Sequence, residues 1–397
     1  MNEVRLILTD GNLGLTPETD DSTSAIIYYK PDSVAYPGDY FISQGATKVL
    51  FGVKDAEDLG ILPGHAEFGL LHYHISEFYR LQPAAKLYIM VVNEPEDTWT
   101  FDELVTLQQV ANGEVKQVLV HAPRKDFAAG DVTLIQTKVD YLLGRGADAG
   151  IFRPLYVLYA ASTREYTMST LPDLRDGDYF AEAVSVLIGQ DLGGRGMFLH
   201  DSDFWSVSCG GAVLGAVSRS NVAHSIGWVE RNNLASGSEL ETLGFDQVLY
   251  EEMSYTLLTQ LHARGYTFLR KHEGLTGSYP VDSLNATDAT SDYNTMEHVR
   301  MAHKAARLVR RVIVPRLSGP IRLLAGGKID PRDAASIESL IKQVLDNMRA
   351  AGEISDGSGR VNTSTNIITT RNIPIALTLR PIGVARNYTV NLALSVS

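Results

Sequence analysis

The most regular hydrophobic pattern lies at the end of the chain. Ile373, Ile375, Leu377 and Leu379 alternate with Pro374, Ala376, Thr378 and Arg380. After Pro381-Ile382-Gly383 the alternation resumes, with Tyr388, Val390, Leu392, Leu394 and Val396 set against Asn387, Thr389, Asn391, Ala393 and Ser395. Strict alternation predicts half-buried strands, and Pro-x-Gly between them is turn chemistry. Val4, Leu6 and Leu8 repeat the pattern before Gly11, Gly14 and Pro17 break it. A strand running to a chain end has to pair with a sheet, its own or a neighbour's. Two arrangements stay open for 388–396: an arm given to an adjacent subunit, or a hairpin with 373–379, which Pro374 marks as an edge strand.

Between about Ala25 and Gly265 strand-like and helix-like segments alternate. Strands are expected at Lys48–Val53, Lys86–Val92, Gln117–His121, Leu155–Ala160, Ala183–Ile188, Ile226–Glu230 and Tyr266–Leu269. Helices are expected around Phe68–Phe78, Phe101–Ala111, Val132–Leu143, the GAVLGAV stretch and Tyr250–Ala263. This order predicts an α/β fold, a mainly parallel three-layer domain. Gly274–Ser291 lacks periodicity and reads as an ordered loop at a domain junction. A long helix follows from about Asp292 to Val314, then one capped by Asp330 with Pro331 at its first position. Gly357–Asn366 reads as a loop. The division expected is an arm at 1–24, an α/β domain at 25–265 and a smaller α+β domain at 266–397.

Along the first of these two helices Arg300, Lys304, Arg307 and Arg311 recur at i, i+4, i+7 and i+11, opposite an apolar stripe of Val299, Ala302, Ala306, Val309 and Ile313. This basic stripe is either a solvated helix face or a surface for an acidic partner. It stands out because the 397-residue chain carries a net charge of -12, which argues against nucleic-acid or anionic-membrane partners. The composition, 44% hydrophobic and 21% charged, is ordinary globular. One cysteine, Cys209, leaves no internal disulfide framework. With no signal-peptide pattern and no bilayer-length apolar run, a soluble protein made in a cytoplasm is expected.

Candidate chemistry is sparse. Gly193-Gly194-Arg195-Gly196 lacks the third glycine of a dinucleotide fingerprint, since Leu199 occupies that place. Gly326-Gly327-Lys328 resembles the end of a phosphate loop, but Ile329 stands where Ser or Thr is needed. His72 and His74 sit at i and i+2 of a helix and point apart. Lys271-His272-Glu273, beside the 274–291 loop, is the best enzyme candidate, yet adjacent strand residues face opposite ways. Cys209, among small residues, reads as a buried structural thiol. No catalytic, cofactor-binding or metal site is expected.

The run from Phe268 to Leu317, the helix after Asp330 and the ending from Ile375 to Val396 together resemble the C-terminal domain of contractile phage tail sheath proteins. Gly274, Gly277-Ser278-Tyr279, Asp292-Tyr293 opening a basic helix, and Pro381-Ile382-Gly383 carry the likeness. Ile226-Gly227-Trp228-Val229-Glu230 and the N-terminal strand with its glycines are similar to sheath-like proteins of prophages. The resemblance implies a structural subunit, not an enzyme and without cofactor. It implies stacked hexameric rings around a tail tube, contraction that drives the tube through a target envelope, and terminal strands exchanged between subunits. Val4, Leu6, Leu8, Tyr388, Val390, Leu392, Leu394 and Val396 would form the exchanged strands, and the basic stripe would face the tube. The implied partners are further copies, a tail tube protein, and baseplate and terminator proteins, with no membrane insertion. Such a particle, a virion tail or injection device, would be assembled in the bacterial cytoplasm. The competing expectations are a soluble α/β enzyme with a site near 274–291 and a sheet-edge adaptor.

Overall fold

A computed structural model describes residues 21–36, 46–83, 85–96, 98–144, 152–199, 207–246 and 248–394. Its centre is a strand the sequence pattern does not single out, β1 (Ser24–Lys30), every residue of which is buried. SAIIYYK has no polar alternation because both faces of the sheet are covered. Around it lie β2 (Thr47–Leu50), β3 (Leu87–Asn93), β4 (Gln117–Asp126), β5 (Tyr156–Ser162), β6 (Val184–Leu187) and β7 (Tyr266–Thr267). The sheet order is β7-β6-β5-β4-β1-β3-β2, with every pairing parallel except β2 to β3. Ile26 sits opposite Ile89 on one side and Leu119 on the other.

Helices cover this sheet: α1 (Gly69–Leu81), α2 (Glu103–Val110), α3 (Gly130–Leu142) and α4 (Gly210–Arg219), followed by α5 (Tyr255–Ala263). The expected three-layer, mainly parallel domain is what the chain forms. Close packing of α1 on α4 depends on glycine. A Cβ at Gly211 would lie 2.6 Å from His74 Cα, and one at Gly215 would lie 3.0 Å from Phe78 O. Both obstacles are backbone, which cannot rotate away. Gly211→Ala is therefore expected to cost about 3 kcal/mol, an overpacking penalty, read as a lowered urea midpoint. Gly130→Ala, with nothing within 4 Å of its Cβ, is the control and should move the midpoint little.

The second unit contains α6 (Met296–Ile313), α7 (Pro331–Ala350), β8 (Asp356–Val361) and β9 (Ile375–Arg380). Asp330 caps α7 as the sequence predicts, accepting the Arg332 N–H at 2.8 Å. Its core, which includes Met301, Ala305, Ile341, Leu345 and Met348, is separate from the main one. The main core runs on to Met296 and Val299. The boundary expected at 265/266 is thus corrected: Tyr266–Thr267 is an edge strand of the large sheet, and the cores divide within the first turns of α6. Two further readings change. Gly357–Asn366 is not wholly loop, because Asp356–Val361 pairs antiparallel with Ile375–Arg380. Ile226–Glu230 forms turns rather than a strand.

Candidate assembly surface

The candidate chemical sites resolve into structural contacts. Gly193 donates its N–H to Asp191 Oδ1 at 2.9 Å, and the same carboxylate takes the Leu240 N–H at 3.0 Å and the Tyr73 hydroxyl at 2.6 Å. A phosphate would compete with a carboxylate already in place. Burial pushes Asp191 up to about 6, against the pull of these hydrogen bonds. Gly326-Gly327 makes a tight turn closed by the Leu324 N–H on Lys328 O. Lys271 pairs with Glu251 at 3.0 Å while His272 stacks on Tyr279, so the KHE group does not converge. His72 contacts Glu57, and His74 packs against His121 with ring centroids 4.4 Å apart. Cys209 is buried, and burial pushes its thiol up to about 12. Among the described residues no three His, Cys, Asp or Glu side chains are placed to hold a metal ion. No helix among them is long and apolar enough to cross a membrane.

The open end of an α/β sheet, where ligands usually bind, is filled here by its own side chains. Lys30 is buried and donates to Val34 O, Arg124 pairs with Glu67 at 3.1 Å, and Tyr28 donates to Glu67 O.

The second unit looks different. Its β8–β9 sheet has only two strands, and Ile375, Leu377 and Leu379 turn inward while Ala376, Thr378 and Arg380 face solvent. Beside β9 lies an apolar groove of about 360 Å³, lined by Val309, Ile313, Leu317, Ile375 and Leu377 among others. After Pro381 the chain leaves the domain without entering any strand. Tyr388, Val390, Leu392 and Leu394 are 86–93% exposed. Among the described residues the hairpin alternative does not form: β9 pairs with β8, and 388–394 enters no strand. Val4, Leu6, Leu8 and Val396 lie outside the described residues.

The basic stripe of α6 is distributed unequally. Arg300 is 4% exposed and donates to Ser220 O, and burial lowers its guanidinium to about 10. Lys304 pairs with Asp21 and Glu353, both at 2.5 Å, and Arg307 pairs with Asp21 at 2.7 Å. Arg311, half-buried, lies nearer the helix end beside exposed Arg310. On the turns N-terminal to the stripe, Glu297 and Asp282 receive Arg386 from the other end of the chain. Partners separated by 49 to 286 residues leave no spacing signature, so neither network is readable from the sequence.

A covered parallel sheet with a small appended unit is a fold that this chain shares with solved chains of contractile injection systems and a phage-type sheath tail protein. A chain of the anti-feeding prophage (AFP) baseplate superposes with TM-score 0.62 at 12% identity, covering 100% of both chains. A chain of the PVC sheath complex, an extracellular contractile injection system in its contracted state, gives 0.58 at 11% identity, covering 100% of this chain and 98% of that one. The sheath tail protein Lin1278 from Listeria innocua gives 0.55 at 12%, covering 93% of each. The chain belongs to the DUF2586 family: residues 1–284 match the DUF2586 N-terminal domain and residues 292–397 the DUF2586 C-terminal domain. No curated protein matches it.

Proposed function

We propose that the chain is the sheath subunit of a contractile injection machine, polymerising as stacked hexameric rings around a tail tube and contracting to drive the tube through a target envelope. The observation that carries this reading is the segment 388–394, which holds four apolar side chains in solvent at period 2 next to a domain whose sheet stops at two strands. Exposed strand edges seek partners, and β8 and β9, held on one face by α7, have no further strand beside them among the described residues. A neighbour's segment added to it would gain backbone hydrogen bonds of roughly 0.5–1.5 kcal/mol net each. Burying each of its larger apolar side chains would add about 1.5–3 kcal/mol. Such a joint survives rotation of the subunits because it is made along a flexible tether.

In this reading the other partners are the tube, the baseplate and a terminator, and the particle is assembled in the bacterial cytoplasm. The end of α6 that carries the stripe Arg300, Lys304, Arg307 and Arg311 would face an acidic tube. Exposed Arg310 and Arg316 would present the charge there, while Arg300, Lys304 and Arg307 meet partners inside the chain. Electron microscopy of the protein co-expressed with a tube protein tests the reading. Striated tubes or six-fold rings are expected, and Arg310→Glu with Arg316→Glu should reduce tube-bound sheath without reducing soluble protein. A monodisperse monomer under all conditions would sink it.

A further inference from the structure

The charged residues of α6 form a ridge turned toward the molecule. Glu297 and Lys304 are seven residues apart and share a face; Arg300 lies between them and Arg307 one turn beyond. Glu297 is 2% exposed and, with Asp282, makes an acidic socket. Arg386 enters it, its Nε 2.8 and 3.0 Å from the two Asp282 oxygens and a terminal nitrogen 2.6 Å from Glu297 Oε1. The second Glu297 oxygen accepts the Ser283 hydroxyl at 2.5 Å, and His262 Nε2 lies 3.3 Å from Asp282. Burial alone would raise the Asp282 carboxyl, but the hydrogen bonds from His262 and Arg386 hold it at about 2. Farther along the helix the signs are reversed: Lys304 and Arg307 grip the carboxylate of Asp21.

We infer that α6 is a common mooring for both ends of the chain, with Asp282 and Glu297 fixing the exit of the C-terminal segment through Arg386, and Lys304 and Arg307 fixing the exit of the N-terminal segment through Asp21. The two exits then lie roughly 10–15 Å apart along one rigid helix, at 1.5 Å rise per residue. A displacement of either segment acts on the same element. Arginine suits the first socket because its planar fork fixes the directions of its donors, Nε toward Asp282 and a terminal nitrogen toward Glu297, where a lysine offers a single nitrogen. This assignment concerns the single chain and does not depend on assembly.

Cys209 is the only cysteine and is buried, so spin labels can be attached to introduced cysteines alone. Distance distributions by pulsed electron resonance are measured between labels at Tyr388→Cys and Ser339→Cys on α7, and separately between Glu18→Cys and Ser339→Cys. Arg386→Gln is expected to broaden the first distribution at least twofold and leave the second unchanged, and Asp21→Asn to do the reverse. Arg386→Lys should give intermediate width in the first. Broadening of both distributions by either variant would show general loosening and overturn the proposal, as would unchanged widths. If Arg386→Gln does not fold, Asp282→Asn with Glu297→Gln removes the socket's charge from the other side. A narrow first distribution in that variant overturns the proposal equally.

Discussion

Deleting residues 388–397 is expected to leave the chain folded and to abolish its polymerisation. The segment 388–394 contributes no strand to any sheet among the described residues, and its large side chains are 86–93% exposed. Removing it therefore takes almost nothing from either core. The thermal midpoint should move by less than about 2 °C, the scale set by a few tenths of a kcal/mol in a chain of this size. Assembly, by contrast, loses every hydrogen bond and apolar contact that a donated strand would make. Calorimetry together with sedimentation separates the two effects. A truncated chain that unfolds or aggregates would place the segment in its own core and remove the basis of the proposed function. Cutting before Ile375 is the contrasting variant: it removes β9, whose Ile375, Leu377 and Leu379 pack on the second core, and should melt that unit.

Acid is expected to weaken the large domain well before carboxylates titrate in bulk. His74 and His121 are both fully buried. His74 Nδ1 accepts the Gly211 N–H at 3.2 Å, so its proton sits on Nε2. Burial pushes His121 down to about 3, and burial together with the neighbouring His121 holds His74 well below the usual range. Both are neutral in the folded chain and protonate freely once unfolded. The unfolded state then binds more protons between the unfolded value of 6.5 and the folded one, so stability is full above pH 6.5 and falls as pH drops through that window. At about 1.4 kcal/mol per unit, His121 removes roughly 2 kcal/mol between pH 6.5 and 5, and His74 acts in the same direction. Asp191, raised to about 6, works the other way as pH falls from there toward the unfolded carboxyl range, offsetting part of the loss. The decisive measurement is a difference: urea midpoints at pH 7 and pH 5 for the natural chain and for His121→Gln. The variant should show the smaller drop, by about one histidine's share. Equal drops would mean that His121 reaches protons in the folded state.

How much could be read beforehand follows from what each element advertises. β3, β4, β5 and the helices between them show runs and periods that burial on one or both faces imposes. Asp330-Pro331 announces α7 through local chemistry alone. β1 does not stand out although it is the centre of the sheet, because the five-residue apolar run Ala25–Tyr29 carries no period to separate strand from helix. Asp356–Val361, with two glycines, has poor strand propensity. It pairs because β9 and the α7 face carrying Ile341 and Leu345 hold it. There a Cβ at Gly359 would meet Ile341. The alternation of 388–396 reads as a strand, whereas 388–394 enters no strand among the described residues. The spacing of Arg300, Lys304 and Arg307 was legible too, while their partners Asp21 and Glu353 were invisible at such separation.

The mooring of Arg386 also sets a length. Eight described residues, Asn387 to Leu394, follow it, and a fully stretched chain covers at most about 3.3–3.6 Å per residue. Their reach is therefore at most roughly 26–29 Å from the socket. In the proposed assembly seven of the eight, 388–394, are the donated strand, so Asn387 alone would link the seated strand to the moored arginine. A neighbour's movement would then be felt almost directly at the socket, turning subunit spacing into tension, and the weaker of the two grips would decide where a ruptured lattice comes apart.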